Sequence, residues 1–328
     1  MGYRGFFVTG LVAVGAVSAT PASATFSGID GRVSFTQVKS DQGDIRTAHP
    51  DGGDVDLLTD SGKDRAAVVS DWSPDGTKLA FDSNRVDSDG RKRVVQIYVM
   101  NADGSGQTQL TRSPGFHGTP GWSPDGASIA IDSDWGVDSM NGIWVIPAFD
   151  PDGVTALEAR RVTTVPANAE FDSEPQFSPD GQMIVFTRFR STTESAIHVM
   201  NADGSNVRRV TPWALNASDP DFSPDGERIT FDSGDGGEPG SVGDIYVANV
   251  DGSAREKLTD SKPLRENGPF KLANNPVFSP SGTRIMYTQF FDDRNELRVF
   301  DVDGSNRETV HSSRGFPNKA DWGVNPPG

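Results

Sequence analysis

Three carboxylates stand at one position of a repeated pattern. Asp82, Asp132 and Asp232 each follow an apolar residue at the end of an alternating run, and each precedes a serine, Ser83, Ser133 or Ser233. Thr36, Thr187 and Thr288 hold the same place in three further copies. Brought around one axis, these oxygens could hold a hard cation such as Ca²⁺, which takes carboxylate and carbonyl ligands. Asp71, Asp221 and Asp321, on neighbouring runs, would enlarge that set. Taken singly, each oxygen can instead accept hydrogen bonds from loop backbone. Both uses are open from the sequence.

A second candidate set is aromatic. Phe116, Trp135, Trp213, Phe270 and Phe291, the last beside Phe290, fall in or next to segments of variable length. Exposed there, they would suit a protein or carbohydrate partner; tucked inward, they would be packing. The four histidines, His49, His117, His198 and His311, show no spacing that brings two onto one metal. Gly-x-Ser-x-Gly is missing too: Gly121-Trp122-Ser123-Pro124-Asp125 fails at its last position, which removes the nucleophile elbow of a serine hydrolase. Asn101-Ala102-Asp103-Gly104-Ser105 begins like a calcium loop but lacks the closing acidic residue, so it reads as turn chemistry.

The elements that must position these residues are set by repetition. Trp72-Ser73-Pro74-Asp75-Gly76 returns at Trp122, Phe177 and Phe222, and as Phe278-Ser279-Pro280-Ser281-Gly282. The serines lie 50, 55, 45 and 56 residues apart, a period typical of propellers. Within a repeat, a short run ending in Asp71-Trp72 is followed by a Ser-Pro-Asp-Gly turn. Lys78 to Phe81 then alternates polar and apolar residues. Gln96 to Met100 is rich in β-branched and aromatic residues, the Asn-Ala-Asp-Gly-Ser turn follows, and Thr108 to Thr111 ends the unit. Four antiparallel strands make one blade. Five copies are complete. A sixth, from Gly31 to Gly52, lacks its first strand, and Ala320-Asp321-Trp322-Gly323 supplies the match at the other end of the chain. The expectation is an all-β, six-bladed β-propeller whose first blade is completed by the C-terminal strand. The two repeated turns then share one face, and the variable loops share the other, where binding residues tend to reside.

Repeats of Trp/Phe-Ser-Pro-Asp-Gly with Ile-Tyr-Val-Met-Asn-Ala-Asp-Gly-Ser resemble the WD40-like propeller repeats of the TolB-like family, over nearly all of residues 26–325. The resemblance implies a protein-binding role in the cell envelope. In the family's namesake an α/β domain precedes the propeller; here the leader runs straight into blade one, which implies the propeller part alone. Similar propellers also accompany prolyl-oligopeptidase-type peptidases and form sugar-acid lyases.

Residues 1–24 have the three-part layout of a signal peptide: Arg4, an apolar run from Phe6 to Val17, and Ala22-Ser23-Ala24. The run is too short to cross a bilayer, so residues 25–328 are expected as one exported domain, periplasmic or extracellular. Without cysteine there is no disulfide framework and no lipid-anchoring thiol. A formal charge of −16 argues against nucleic acid. The leading expectation is a monomeric, non-catalytic propeller, without cofactor, that binds a protein or cell-envelope component through the variable face. The alternative is a metal-assisted lyase or hydrolase acting on a sugar or lactone at the channel mouth, with Ca²⁺ as the possible cation.

Overall fold

In a computed structural model the chain folds into six separate four-stranded antiparallel sheets. The structure describes residues 26–326 apart from 40–41, 63–64, 86–93, 113–114, 136–140, 150–157, 192, 235–242, 262–271, 292–293 and 314–315. The expected signal peptide and Phe270 lie outside the described residues.

Each sheet is a blade. In blade two Ala67–Trp72 is innermost, with Lys78–Ser83, Gln96–Asn101 and Thr108–Gln109 following outward. Blades three to six begin with His117–Trp122, Phe171–Phe177, Ala217–Phe222 and Leu272–Phe278. In blade one the innermost place belongs to Phe316–Val324, paired with Asp30–Lys39 so that Trp322 faces Val33 and Asp321 faces Ser34. The C-terminal strand therefore closes the ring, as expected.

The turns satisfy themselves. Ser73 Oγ donates to Asp75 Oδ1 at 2.6 Å and accepts the Lys78 N–H at 2.9 Å, while Asp75 Oδ1 also accepts the Thr77 N–H at 3.0 Å. The same bonds recur around Asp125, Asp180 and Asp225. A serine hydroxyl and a backbone N–H hold the Asp125 and Asp180 carboxyls below their usual value. In the other turn Asp103 Oδ1 takes the Ser105 N–H and hydroxyl at 2.9 and 2.6 Å. Gly104 has φ +83°, and a Cβ there would stand 2.8 Å from the Leu58 carbonyl oxygen of blade one. Glycine is required twice over, for the turn and for contact with the preceding blade.

The core lies between blades. Trp72, Trp122, Phe177, Phe222, Phe278 and Trp322, the aromatics of the repeated motif, are all buried. Three of them are tied across a blade boundary. The Trp122 N–H donates to Asp71 Oδ2 at 2.7 Å, the Trp72 N–H to Asp321 Oδ2 at 2.7 Å, and the Phe278 N–H to Asp221 Oδ2 at 2.8 Å. Asp71, Asp221 and Asp321 thus act as inter-blade latches.

Each innermost strand from blade two to six also carries a bulge. Val69, Thr119, Glu174, Asp219 and Asn275 sit there at φ between 48° and 60°. Such conformations cost about 1–3 kcal/mol each for residues with a Cβ and persist where surrounding structure holds them.

Candidate functional site

Two of the carboxylates at the second-strand ends, Asp132 and Asp232, accept hydrogen bonds from the next blade. Asp132 is 3% exposed; its Oδ1 accepts the Thr119 hydroxyl at 2.8 Å and its Oδ2 the Ser173 hydroxyl of blade four at 2.9 Å. Burial pushes its carboxyl up to about 6, and these hydroxyls and the Asn141 side chain act against that rise. Asp232 accepts the Ser218 hydroxyl at 2.6 Å and the Asn275 N–H of blade six at 3.0 Å. Burial, and then the charge of Asp219, hold it well above the ordinary carboxylate value. The Asn275 amide in turn donates to Asp219 Oδ2 at 2.7 Å. Blade four reverses the arrangement: the Thr187 hydroxyl donates to Glu174 Oε2 at 2.6 Å, which also takes the Asp219 N–H at 2.8 Å. Asp82 is buried as well, paired in its ladder with Val68 and Ile97. Among the described residues, no group of three or more His, Asp or Glu side chains stands where it could hold a metal ion. The bulge residues Thr119, Glu174, Asp219 and Asn275 are partners that sequence reasoning missed. Their signal was weak, because a bulge leaves no fixed residue type.

The aromatic candidates divide by exposure. Trp135 is 5% exposed and packs on His117 and Trp144, with ring centroids 4.5 and 5.2 Å away. It fills the core rather than offering an exposed anchor, packed in one cluster with Trp122, Trp144 and Ile131. Phe116 is half-buried; its N–H donates to Asp134 Oδ1 at 2.9 Å and its ring lies where a Cβ on Gly118 would be. Phe291 is half-buried beneath the Arg294 guanidinium, 4.5 Å from its ring. Trp213 opens the short helix Trp213–Leu215 after the outer strand of blade four, and it too is half-buried. The Arg190 guanidinium lies 3.8 Å over its ring, and the His198 ring lies 5.5 Å away, tilted by 52° and stacked on Phe186. No ring contact joins Phe116, Trp135, Trp213 and Phe291 to one another among the described residues; they are spread over blades three, four and six.

The face of repeated turns carries cavities that the sequence did not announce. One of about 470 Å³ lies among the repeated turns, lined by Pro74, Pro124, Pro179 and Pro224 and bordered by Phe26. The segment after Phe26 is fixed at the ring seam: the Gly28 N–H donates to the Pro280 carbonyl at 3.1 Å and the Ser281 N–H to Asp30 Oδ1 at 2.9 Å. Two more, of about 280 and 380 Å³, flank Phe149, which is 59% exposed. The available signal was the irregular end of blade three, where no Asn-Ala-Asp-Gly-Ser turn follows the third strand.

Residues 153–268 match the family described as TolB beta propeller domain. The chain is 27% identical over 293 residues to the Tol-Pal system protein TolB of Bordetella pertussis, covering 89% of this chain and 59% of that protein's length. Its structure is similar to that of TolB from Acinetobacter baumannii, with a TM-score of 0.72 and 20% identity over 90% of this chain and 67% of the other. It is also similar to an oligogalacturonate lyase from Vibrio parahaemolyticus, with a TM-score of 0.51 and 15% identity over 88% and 74% of the two chains. At such identities the structural likenesses show the fold alone. Six closed blades and the repeated turns make the chain a six-bladed β-propeller, similar in its repeats and fold to the propeller of TolB.

Proposed function

We propose that this chain is an exported, monomeric, non-catalytic propeller that captures a protein or other cell-envelope component through its variable-loop face. One observation carries the reading: Trp213 stands half-buried on that face with a guanidinium laid on its ring. A rigid aromatic beside arginine is the composition of interface hot spots. The name of the similar Bordetella protein, which places it in the Tol-Pal system, agrees with an envelope role. No nucleic acid and no cofactor enter the reading. Among the described residues no helix is long and apolar enough to cross a membrane. The lyase alternative asks for convergent acid, base or metal groups, whereas Asp132 and Asp232 spend their oxygens on serine, threonine and backbone donors.

The test compares two faces. Immobilised wild type, Trp213→Ala and Phe149→Ala are exposed to envelope extract, and melting temperature confirms the fold of each. Trp213→Ala is expected to lose the captured component, because a hot-spot truncation costs about 2 kcal/mol or more of binding, while Phe149→Ala keeps it. The reverse outcome would move the binding surface to the face of repeated turns.

A further inference from the structure

In a chain of formal charge −16, one corner of blade four gathers positive charge around a single indole. Arg190 and Arg209 approach its ring, Arg188 lies over the neighbouring Phe186 and Arg208 adjoins Arg209 on the edge strand, and the four differ in what they are bound to. Arg188 is held by both oxygens of the buried Asp172, at 2.6 and 2.8 Å, so its charge is already matched. Arg208 donates to the Val250 carbonyl of the next blade at 3.1 Å. Arg190 and Arg209 are different. Arg190 lies 3.8 Å over the Trp213 ring with only a 3.4 Å contact to Glu194, and its Nε is shut from solvent without a hydrogen-bond partner among the described residues. Arg209 is exposed on its edge strand, its guanidinium 5.7 Å from the same ring, and no hydrogen-bond acceptor is bound to it among the described residues.

Resting on the reading that the partner meets this face, we propose that Arg190 and Arg209, fixed around Trp213, bind a carboxylate-rich peptide segment of that partner. A guanidinium offers parallel N–H donors that match the two oxygens of a carboxylate. The indole is backed by His198 and Phe186, so Arg190 is held in place before the ligand arrives. Elsewhere the negative charge of the molecule repels an acidic segment, which steers encounter toward this corner. A peptide fits better than an acidic sugar, because the indole face on which a pyranose would stack already carries Arg190.

The probe is a fluorescent oligoglutamate peptide, followed by anisotropy on the full chain. Wild type is expected to bind it saturably and to lose affinity as salt rises from about 50 to 300 mM. Arg190→Gln with Arg209→Gln should bind at least about tenfold more weakly. Arg65→Gln with Arg112→Gln, which removes equal charge from exposed positions of blade two and its borders, should stay within about twofold of wild type. Melting temperatures of both double variants establish that they fold. Absence of saturable binding, or equal losses in the two double variants, would overturn the proposal. Preferential binding of oligogalacturonate at the same corner would replace the peptide by a glycan. Capture from envelope extract separates the two readings: loss with Trp213→Ala but not with the Arg190/Arg209 variant leaves the face and overturns the acidic ligand. Retention by both defeats the face itself.

Discussion

Asp71 and Asp132 belong to the same repeat system but meet different chemistry. Asp71 takes a backbone N–H from the next blade, whereas Asp132 takes two hydroxyls. The sequence marks both as repeated aspartates and cannot separate them, since the choice depends on which atom of a neighbouring blade lies within reach. The same limit applied to Trp135, whose loop position suggested exposure while its neighbours His117 and Trp144 bury it. A consequence at this scale concerns His198. Burial first, and the nearby Arg188, Arg209 and Arg190, push its imidazole down to about 4, although the Nδ1 contact to the Ala196 carbonyl at 3.0 Å acts the other way. The folded state then prefers the neutral ring, while the unfolded chain binds a proton near pH 6.5. Between those values the unfolded state holds more protons, so stability rises with pH from about 4 to about 6.5 and falls on acidification. The full effect is at most about 3 kcal/mol by the usual conversion of 1.36 kcal/mol per unit. His198→Phe keeps a ring between Phe186 and Trp213 and removes the titration. The melting temperature of wild type should therefore fall relative to that of the variant from pH 7 to pH 4.5; a constant difference would show that His198 titrates normally.

Strands were legible because each carries its own period and its own turn. Alternation gave the second strands, β-branched runs the third, and Pro-Asp-Gly or Asp-Gly the reversals. The missing first strand of blade one was legible because Asp321-Trp322 repeats Asp71-Trp72 at the far end of the chain. The bulges were not, and neither was the segment after Phe26 that binds the seam through Pro280 and Asp30. That segment contains no copy of the repeat. Closure predicts the effect of removing Lys319 to Gly328. Blade one would lose most of its innermost strand, the Trp72 N–H would lose its acceptor Asp321, and the buried seat of Trp322 would open. A large aromatic lost from a core costs about 3–5 kcal/mol, and an unpaired buried amide about 1–3 more. These losses approach the whole stability of a typical domain. Thermal unfolding of the truncated chain should begin many degrees below wild type, or the chain should fail to fold; an unchanged midpoint would contradict the ring closure.

On the scale of the whole molecule, the two faces are built from different materials. One is a collar of repeated turns around prolines, the other a set of unlike loops in which Trp213 is held beside arginines. Between them the channel-side carboxylates link neighbouring blades, which bears on whether a cation belongs there. If Asp132 and Asp232 are struts, their oxygens are already engaged and Ca²⁺ gains nothing by entering. If they form a site, a ligand bound only by the native state would stabilise it by ~2.7 kcal/mol at a hundredfold excess over its Kd. For a chain of this size that is a rise of several degrees in Tm. We expect millimolar Ca²⁺ to leave Tm unchanged. We expect Asp132→Asn with Asp232→Asn to respond to Ca²⁺ no differently from wild type, since the wild-type oxygens already accept from Thr119, Ser173, Ser218 and the Asn275 N–H. A calcium-dependent rise that disappears in this double variant would restore the cation site. Even then it would show a bound ion and not turnover, because a structural cation stabilises in the same way; only hydrolysis of a lactone or cleavage of a uronic-acid oligomer, lost in the same variant, would make the channel mouth an active site.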